Sequence, residues 1–125
     1  MTTEDTTQKY DKPLPVIHPD NKPYWDSLKS HEIKMQKCLE CGLIRYPVSP
    51  VCHKCFSGTF EWTRISGKGT VSAWVVIVSA TGNPAWKNDV PFNVALVDLE
   101  EGPRLTTNIV DVNNDDIVKG MEVEI

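Results

Sequence analysis

Hydrophobic positions change their spacing twice along the chain, and each change predicts a different kind of element. Residues 1–12 are polar apart from Met1 and Tyr10, and Pro13, Pro15 and Pro19 follow, so 1–19 reads as a disordered or extended arm. A helix can start near Asp20 or Asn21 with Pro23 in its first turn. Tyr24, Trp25 and Leu28 then form one apolar stripe about two turns long. Ile33 and Met35 alternate as an edge strand would, which completes a helical lead-in over 20–36.

From Phe60 onward the period is two. Gly67-Lys68-Gly69 is too short for a phosphate loop and reads as a tight lead-in to a strand over Thr70–Ser79. Val71, Ala73, Val75 and Ile77 are expected on one face and Ser72, Trp74, Val76 and Val78 on the other, so the strand should be buried on both faces or cover a partner. Phe92–Leu99 and Arg104–Val110 predict two further strands, joined by the Glu100–Pro103 turn. Asn113–Asp116 suits a turn or helical cap, and Met121–Ile125 starts a last strand. Short strands with glycine turns over 61–125 predict a small barrel, most simply of the five-stranded OB type. Because the chain stops in mid-strand on this reading, the barrel is expected to be incomplete or completed by a partner. The fold class is therefore mainly β: a short N-terminal helix, a ribbon over 37–60, then the OB-type barrel.

All four cysteines lie in the ribbon segment, as Cys38-Leu-Glu-Cys41-Gly and Cys52-His-Lys-Cys55 with ten residues between the pairs. A two-residue gap lets both thiolates of a tight turn face one ion, and two such turns supply a closed tetrahedron of soft ligands. One structural zinc per chain is the expected cofactor. Iron also accepts four thiolates; a redox pair or buried cysteines without metal are weaker readings. His53 lies inside the second pair and reads as an exposed neighbour, since four thiolates already fill the site. A zinc with four thiolates carries a formal −2, which Lys37, Arg45, His53 and Lys54 are placed to offset.

Charge narrows the function. The whole chain is −4, with residues 1–60 at +1 and residues 61–125 at −5. An acidic barrel is a poor match for a phosphate backbone, so a zinc-ribbon/OB-fold nucleic-acid-binding module is the lesser alternative. No export signal or membrane-length apolar run is evident, and a cytoplasmic protein without membrane association is expected. With every cysteine committed to metal and only His18, His31 and His53 remaining, no nucleophile–base pair suggests itself, so no catalysis is expected of the chain alone.

The order of parts is itself informative. Pro23-Tyr24-Trp25, the Cys-x-x-Cys-Gly turn, Tyr46-Pro47, the second pair, Trp62, Ser66-Gly-Lys-Gly-Thr-Val71, Val97-Asp-Leu-Glu-Glu-Gly-Pro-Arg-Leu105 and Gly120-Met-Glu-Val123 together resemble one family. It is the acyl-CoA-associated family of small zinc-ribbon plus OB-fold proteins, long classed as a domain of unknown function, and the resemblance covers about Asp20 to Ile125. It implies a rubredoxin-like ribbon and a thiolase-superfamily partner in a hetero-oligomer, in which the small subunit supports catalysis and helps hold acyl-CoA. Candidate systems are an aromatic acyl-CoA thiolase of anaerobic degradation, a thiolase-like aldolase and a hydroxymethylglutaryl-CoA synthase complex. The loop Ala80–Pro91 then has two readings: it lies at the acyl-CoA entrance, with Trp86 offering a flat apolar face and Lys87 a point charge for phosphate, or it is a solvated loop in which Trp86 covers the barrel end. Trp25 and Trp62 are expected instead to pack the ribbon onto the barrel.

Overall fold

The computed structural model describes residues 10–125, so residues 1–9 of the expected arm lie outside the described residues. The helix is α1, Lys22–Lys29, with proline in its first turn and Tyr24 buried on its inner face. Ser27, also buried, donates its hydroxyl to the Tyr24 carbonyl at 2.6 Å and accepts the Lys34 amide at 3.1 Å. That single side chain fastens the helix to the first strand.

Two antiparallel sheets follow. The first has β1 (Lys34–Cys38) between β2 (Ile44–Arg45) and β3 (Phe60–Arg64), in the order β2-β1-β3. The edge strand expected around Met35 is thus the central strand, because β3 returns to pair with it along its whole length, from Lys34↔Arg64 to Cys38↔Phe60. Residue 61, where the barrel was expected to begin, falls inside β3.

The second sheet has β4 (Lys68–Ile77), β5 (Phe92–Leu99), β6 (Arg104–Thr107) and β7 (Glu122–Glu124), in the order β6-β5-β4-β7. It curls into a half-barrel of the OB type. Among the described residues it has four strands rather than five, and β6 and β7 do not pair with each other. A cleft of about 570 Å³ fills the gap, lined by residues that include Val97, Leu105, Ile109, Val123 and Ile125.

The third strand stops at Thr107 rather than Val110 for a visible reason. The buried side chain of Asn93 takes the place of a backbone ladder: its Oδ1 accepts the Ile109 amide at 2.6 Å and its Nδ2 donates to the Ile109 carbonyl at 2.8 Å. With those groups satisfied, the chain is free to turn away.

The assignment of β4 residues to its two faces needs correction beyond Ser72. Val71 pairs with Val97 and Ala73 with Leu96, so a bulge at Ser72 shifts the register. A bulge moves the following residues to the opposite face. Beyond it Trp74 and Val76 lie opposite the buried Ala95 and Asn93, while Val75 is 57% exposed and Val78, just past the strand end, 74%. The far half of β4 is therefore not covered on both sides. At its near end the strands approach so closely that a Cβ on Gly69 would lie 2.6 Å from the Asp98 carbonyl oxygen. Only glycine fits there.

One core joins the two sheets. Tyr24 from the helix, Ile33, Met35 and Ile65 from the ribbon side, and Val97, Leu99 and Leu105 from the half-barrel form a single buried cluster. Trp25 and Trp62 pack against it as expected, with Ile44 and Tyr46 beside them.

Candidate metal centre

The two cysteine turns are built alike. In the first, the Cys38 amide donates to the Leu43 carbonyl and the Gly42 amide to the Cys38 carbonyl; in the second, the Cys52 amide donates to Ser57 and the Phe56 amide to Cys52. The residue after the second cysteine of each turn takes a left-handed backbone, Gly42 at φ +78° and Phe56 at φ +64°. Glycine does this freely, whereas phenylalanine is strained there. The Gly42 signal was legible in the sequence; its counterpart at Phe56 carries no such mark.

These turns bring the four sulfurs together. Cys38 and Cys55 Sγ lie 3.5 Å apart, Cys41 and Cys52 Sγ 3.6 Å, and all four within 4.8 Å of one another. Zinc–sulfur bonds of about 2.3 Å in a tetrahedron require edges of about 3.8 Å, which the two short separations approach, so the donor set and its spacing suit zinc. His53 is exposed and outside the cluster. Two of the sulfurs, one in each turn, are also prepared electrostatically, whereas burial and the neighbouring thiols push Cys55 up to about 12. The Cys41 amide, then the Glu40 amide, draw the Cys38 thiol down to about 6. The amides of Cys55 and Lys54 draw Cys52 down in the same way. A thiolate is the form that binds metal. With four protein ligands and no open position, the zinc held here is structural: it clamps the two turns and offers no site for substrate.

The four basic residues expected around the metal are not equivalent. His53 and Lys54 are exposed and Lys37 is half-buried, but Arg45 is only 3% exposed. Its burial escaped sequence reasoning, because nothing local distinguishes it from a surface arginine.

The Trp86 loop lies in the half-barrel. Asn83 Oδ1 accepts the Ala85 amide at 3.0 Å and starts a short 3-10 turn, Pro84–Trp86. Trp86 stacks on Phe92 with ring centres 5.0 Å apart. The cation over its ring is Lys12, whose Nζ lies 5.0 Å from the ring centre and 2.8 Å from the Asp89 carboxylate. Lys87 is exposed beside it. Residues of the arm thus rest on the loop, a contact no local pattern announced.

The comparisons with known proteins agree with this architecture. Residues 25–61 match the family model described as "ChsH2, rubredoxin-like zinc ribbon domain", and residues 62–125 match "ChsH2, C-terminal OB-fold domain". A DUF35 domain-containing scaffold protein of Pyrococcus furiosus is 36% identical over 81% of this chain and 73% of its own. A probable enoyl-CoA hydratase alpha subunit of Thermomonospora curvata is 37% identical over 97% of this chain, which spans only 38% of that protein. The 3-oxo-4,17-pregnadiene-20-carboxyl-CoA hydratase alpha subunit of Mycobacterium tuberculosis is 34% identical over 83% of this chain and 32% of its own length. Among solved structures, the Ltp2-ChsH2(DUF35) aldolase superposes with a TM-score of 0.79 at 34% identity, over 89% of this chain and 85% of that one. No helix among the described residues is long and apolar enough to cross a membrane. A tetrathiolate ribbon sharing one core with an OB half-barrel, matched by both family models in order, makes this chain a member of the ChsH2-type DUF35 family.

Proposed function

We propose that this chain is the non-catalytic zinc-ribbon/OB-fold subunit of a hetero-oligomeric acyl-CoA enzyme whose catalytic partner belongs to the thiolase superfamily, and that it helps hold the acyl-CoA. The observation that carries this reading is the match over 89% of the chain to the DUF35 component named in the Ltp2-ChsH2 aldolase. The exposed valines of β4 and the unpaired edges of β6 and β7 support it, since apolar surface of that kind suits an interface. The acidic groups Asp98, Glu100, Glu122 and Glu124 around the Lys68–Thr70 cleft suit a nucleic-acid role badly.

A second reading replaces the thiolase-type partner with a hydratase, and the two alpha-subunit relatives favour it. Coexpression with each kind of partner from the same genome, followed by gel filtration, separates the readings. Co-elution with the thiolase-type subunit and thiolysis or carbon–carbon cleavage of acyl-CoA esters is the expected result; co-elution with a hydratase subunit and water addition favours the second. A stable monomer indifferent to both overturns the proposal. Within the complex, Trp86 and Lys87 are proposed acyl-CoA contacts. Trp86→Ala and Lys87→Ala should each raise KM for acyl-CoA several-fold while leaving the complex intact; unchanged kinetics in both would remove the loop from the site.

A further inference from the structure

Arg45 is the one buried cation of the ribbon, and no carboxylate among the described residues pairs with it. Its Nε donates to Gln36 Oε1 at 3.1 Å and its Nη2 to the Ser49 carbonyl at 2.9 Å, while Nη1 is buried without a partner. Both acceptors are neutral. The cavity beside it, about 120 Å³, is lined by Tyr24, Trp25, Tyr46, Trp62 and other residues, none of them acidic. A desolvated charge without an opposite charge is costly, so something nearby must offset it.

The register shows what lies within reach. Arg45 is opposite Gln36 on β1, and Gln36 is opposite Trp62 on β3. Cys38 and its partner Phe60 are two residues further along and so share that face. The guanidinium carbon sits 5.2 Å from the centre of the Phe60 ring. The side chain therefore leaves β2, crosses β1 over the stretch from Gln36 to Cys38, and ends on β3 beside the partner of a metal ligand. Gln36 Oε1 also accepts the Ser49 amide at 2.9 Å, which ties the same group to the loop leading into Cys52.

We infer that Arg45 is a positioning residue of the metal centre: its buried guanidinium is the internal counter-charge of the tetrathiolate. Lys37, His53 and Lys54 face water more and are screened by it, so their charges count for less. The unpaired positive charge is buried on the same side of the metal site as the buried ligand Cys38, where attraction to the net negative site offsets part of its desolvation cost.

The test uses the full chain loaded with zinc, and separately with iron. Zinc affinity is read by competition with a chromophoric chelator, and the iron form reports the Fe(III)/Fe(II) midpoint potential. Arg45→Met should weaken zinc by about 10–100-fold, the usual range for a group supporting metal ligands. It should also lower the potential, because the reduced site is the more negative and benefits more from a nearby cation. Arg45→Lys should recover most of both, although it cannot reproduce the two-point hydrogen bonding. Gln36→Glu keeps the arginine but sets a carboxylate against it, and should lower both quantities as Arg45→Met does. That variant also keeps the inference testable if Arg45→Met does not fold. Zinc affinity and potential unchanged in Gln36→Glu, or Arg45→Lys as impaired as Arg45→Met, would overturn it and leave Arg45 a hydrogen-bonding clamp.

Discussion

The ribbon and the half-barrel solve the same problem in opposite ways. Each is too small to enclose a core of its own. The ribbon closes itself: three paired strands, two cysteine turns around one metal, and a buried polar set of Gln36, Arg45 and the Ser49 backbone. The half-barrel is left open, with two edge strands that do not pair with each other, a cleft between them and valines facing water on β4. Internal closure marks the part that holds the fold together, and on the proposed function the open apolar surface is the part that meets another molecule.

The largest test breaks that division. Cys41→Ser removes a ligand, and structural zinc in small ribbons is worth several kcal/mol or more of folding free energy. Because Ile33, Met35 and Ile65 share a cluster with Val97, Leu99 and Leu105, loss of the ribbon should take the half-barrel with it. The expected result is a chain lacking its one zinc by metal analysis, with no cooperative melt by circular dichroism. A β-sheet signal that melts normally without metal would show that the half-barrel stands alone.

A paired substitution sharpens the contrast. Met35 is 1% exposed at the joint of the two sheets, and Met35→Ala should cost about 2–5 kcal/mol by urea unfolding. Val78, at 74% exposure, should change stability by less than about 0.5 kcal/mol when made serine. On the proposed function, Val78→Ser should nevertheless weaken co-elution with the partner subunit. Equal stability losses at the two sites would mean that the open face is part of the core.

How much of this could be read beforehand follows from how local each signal is. The cysteine turns, the proline-started helix and the strand Phe92–Leu99 declare themselves within a few residues, and the structure has them in place. The central position of β1 depends on β3, which returns only after both cysteine turns. The bulge at Ser72 is hidden because the residues on both sides of it are apolar, so a change of face leaves the pattern unaltered. The end of the third strand at Thr107 depends on Asn93 capturing Ile109, a contact between segments that look unrelated in sequence. In the site, the ligands were legible because spacing sets their chemistry. The burial of Arg45, which set it apart from the other three basic residues, and the contact of Lys12 with the loop were not, since a long basic side chain declares neither its burial nor its partner.

The smallest expected effect comes from the arginine that Arg45 is best compared with. Arg104, on the edge strand β6, pairs with Asp98 at 2.7 Å on the exposed side of the sheet. Its guanidinium, chiefly through that hydrogen bond, holds the Asp98 carboxyl below the usual carboxylate range. A carboxyl lowered in the folded state stabilises the fold above its unfolded value, near 3.9, and that contribution is lost as pH falls through the folded value. The pair therefore matters at neutral pH and fades below about pH 4. Thermal midpoints of the native chain and of Arg104→Gln should differ slightly at pH 7, and the difference should vanish in acid and shrink in high salt. Metal analysis at each pH confines the comparison to zinc-loaded protein, because the zinc-free chain is expected to have no cooperative melt. Gln36→Glu beside Arg45 should instead show its effect on metal affinity with little dependence on salt, because that charge is buried. If the two arginines responded to salt in the same way, the contrast between a closed ribbon and an open sheet would not extend to their electrostatics.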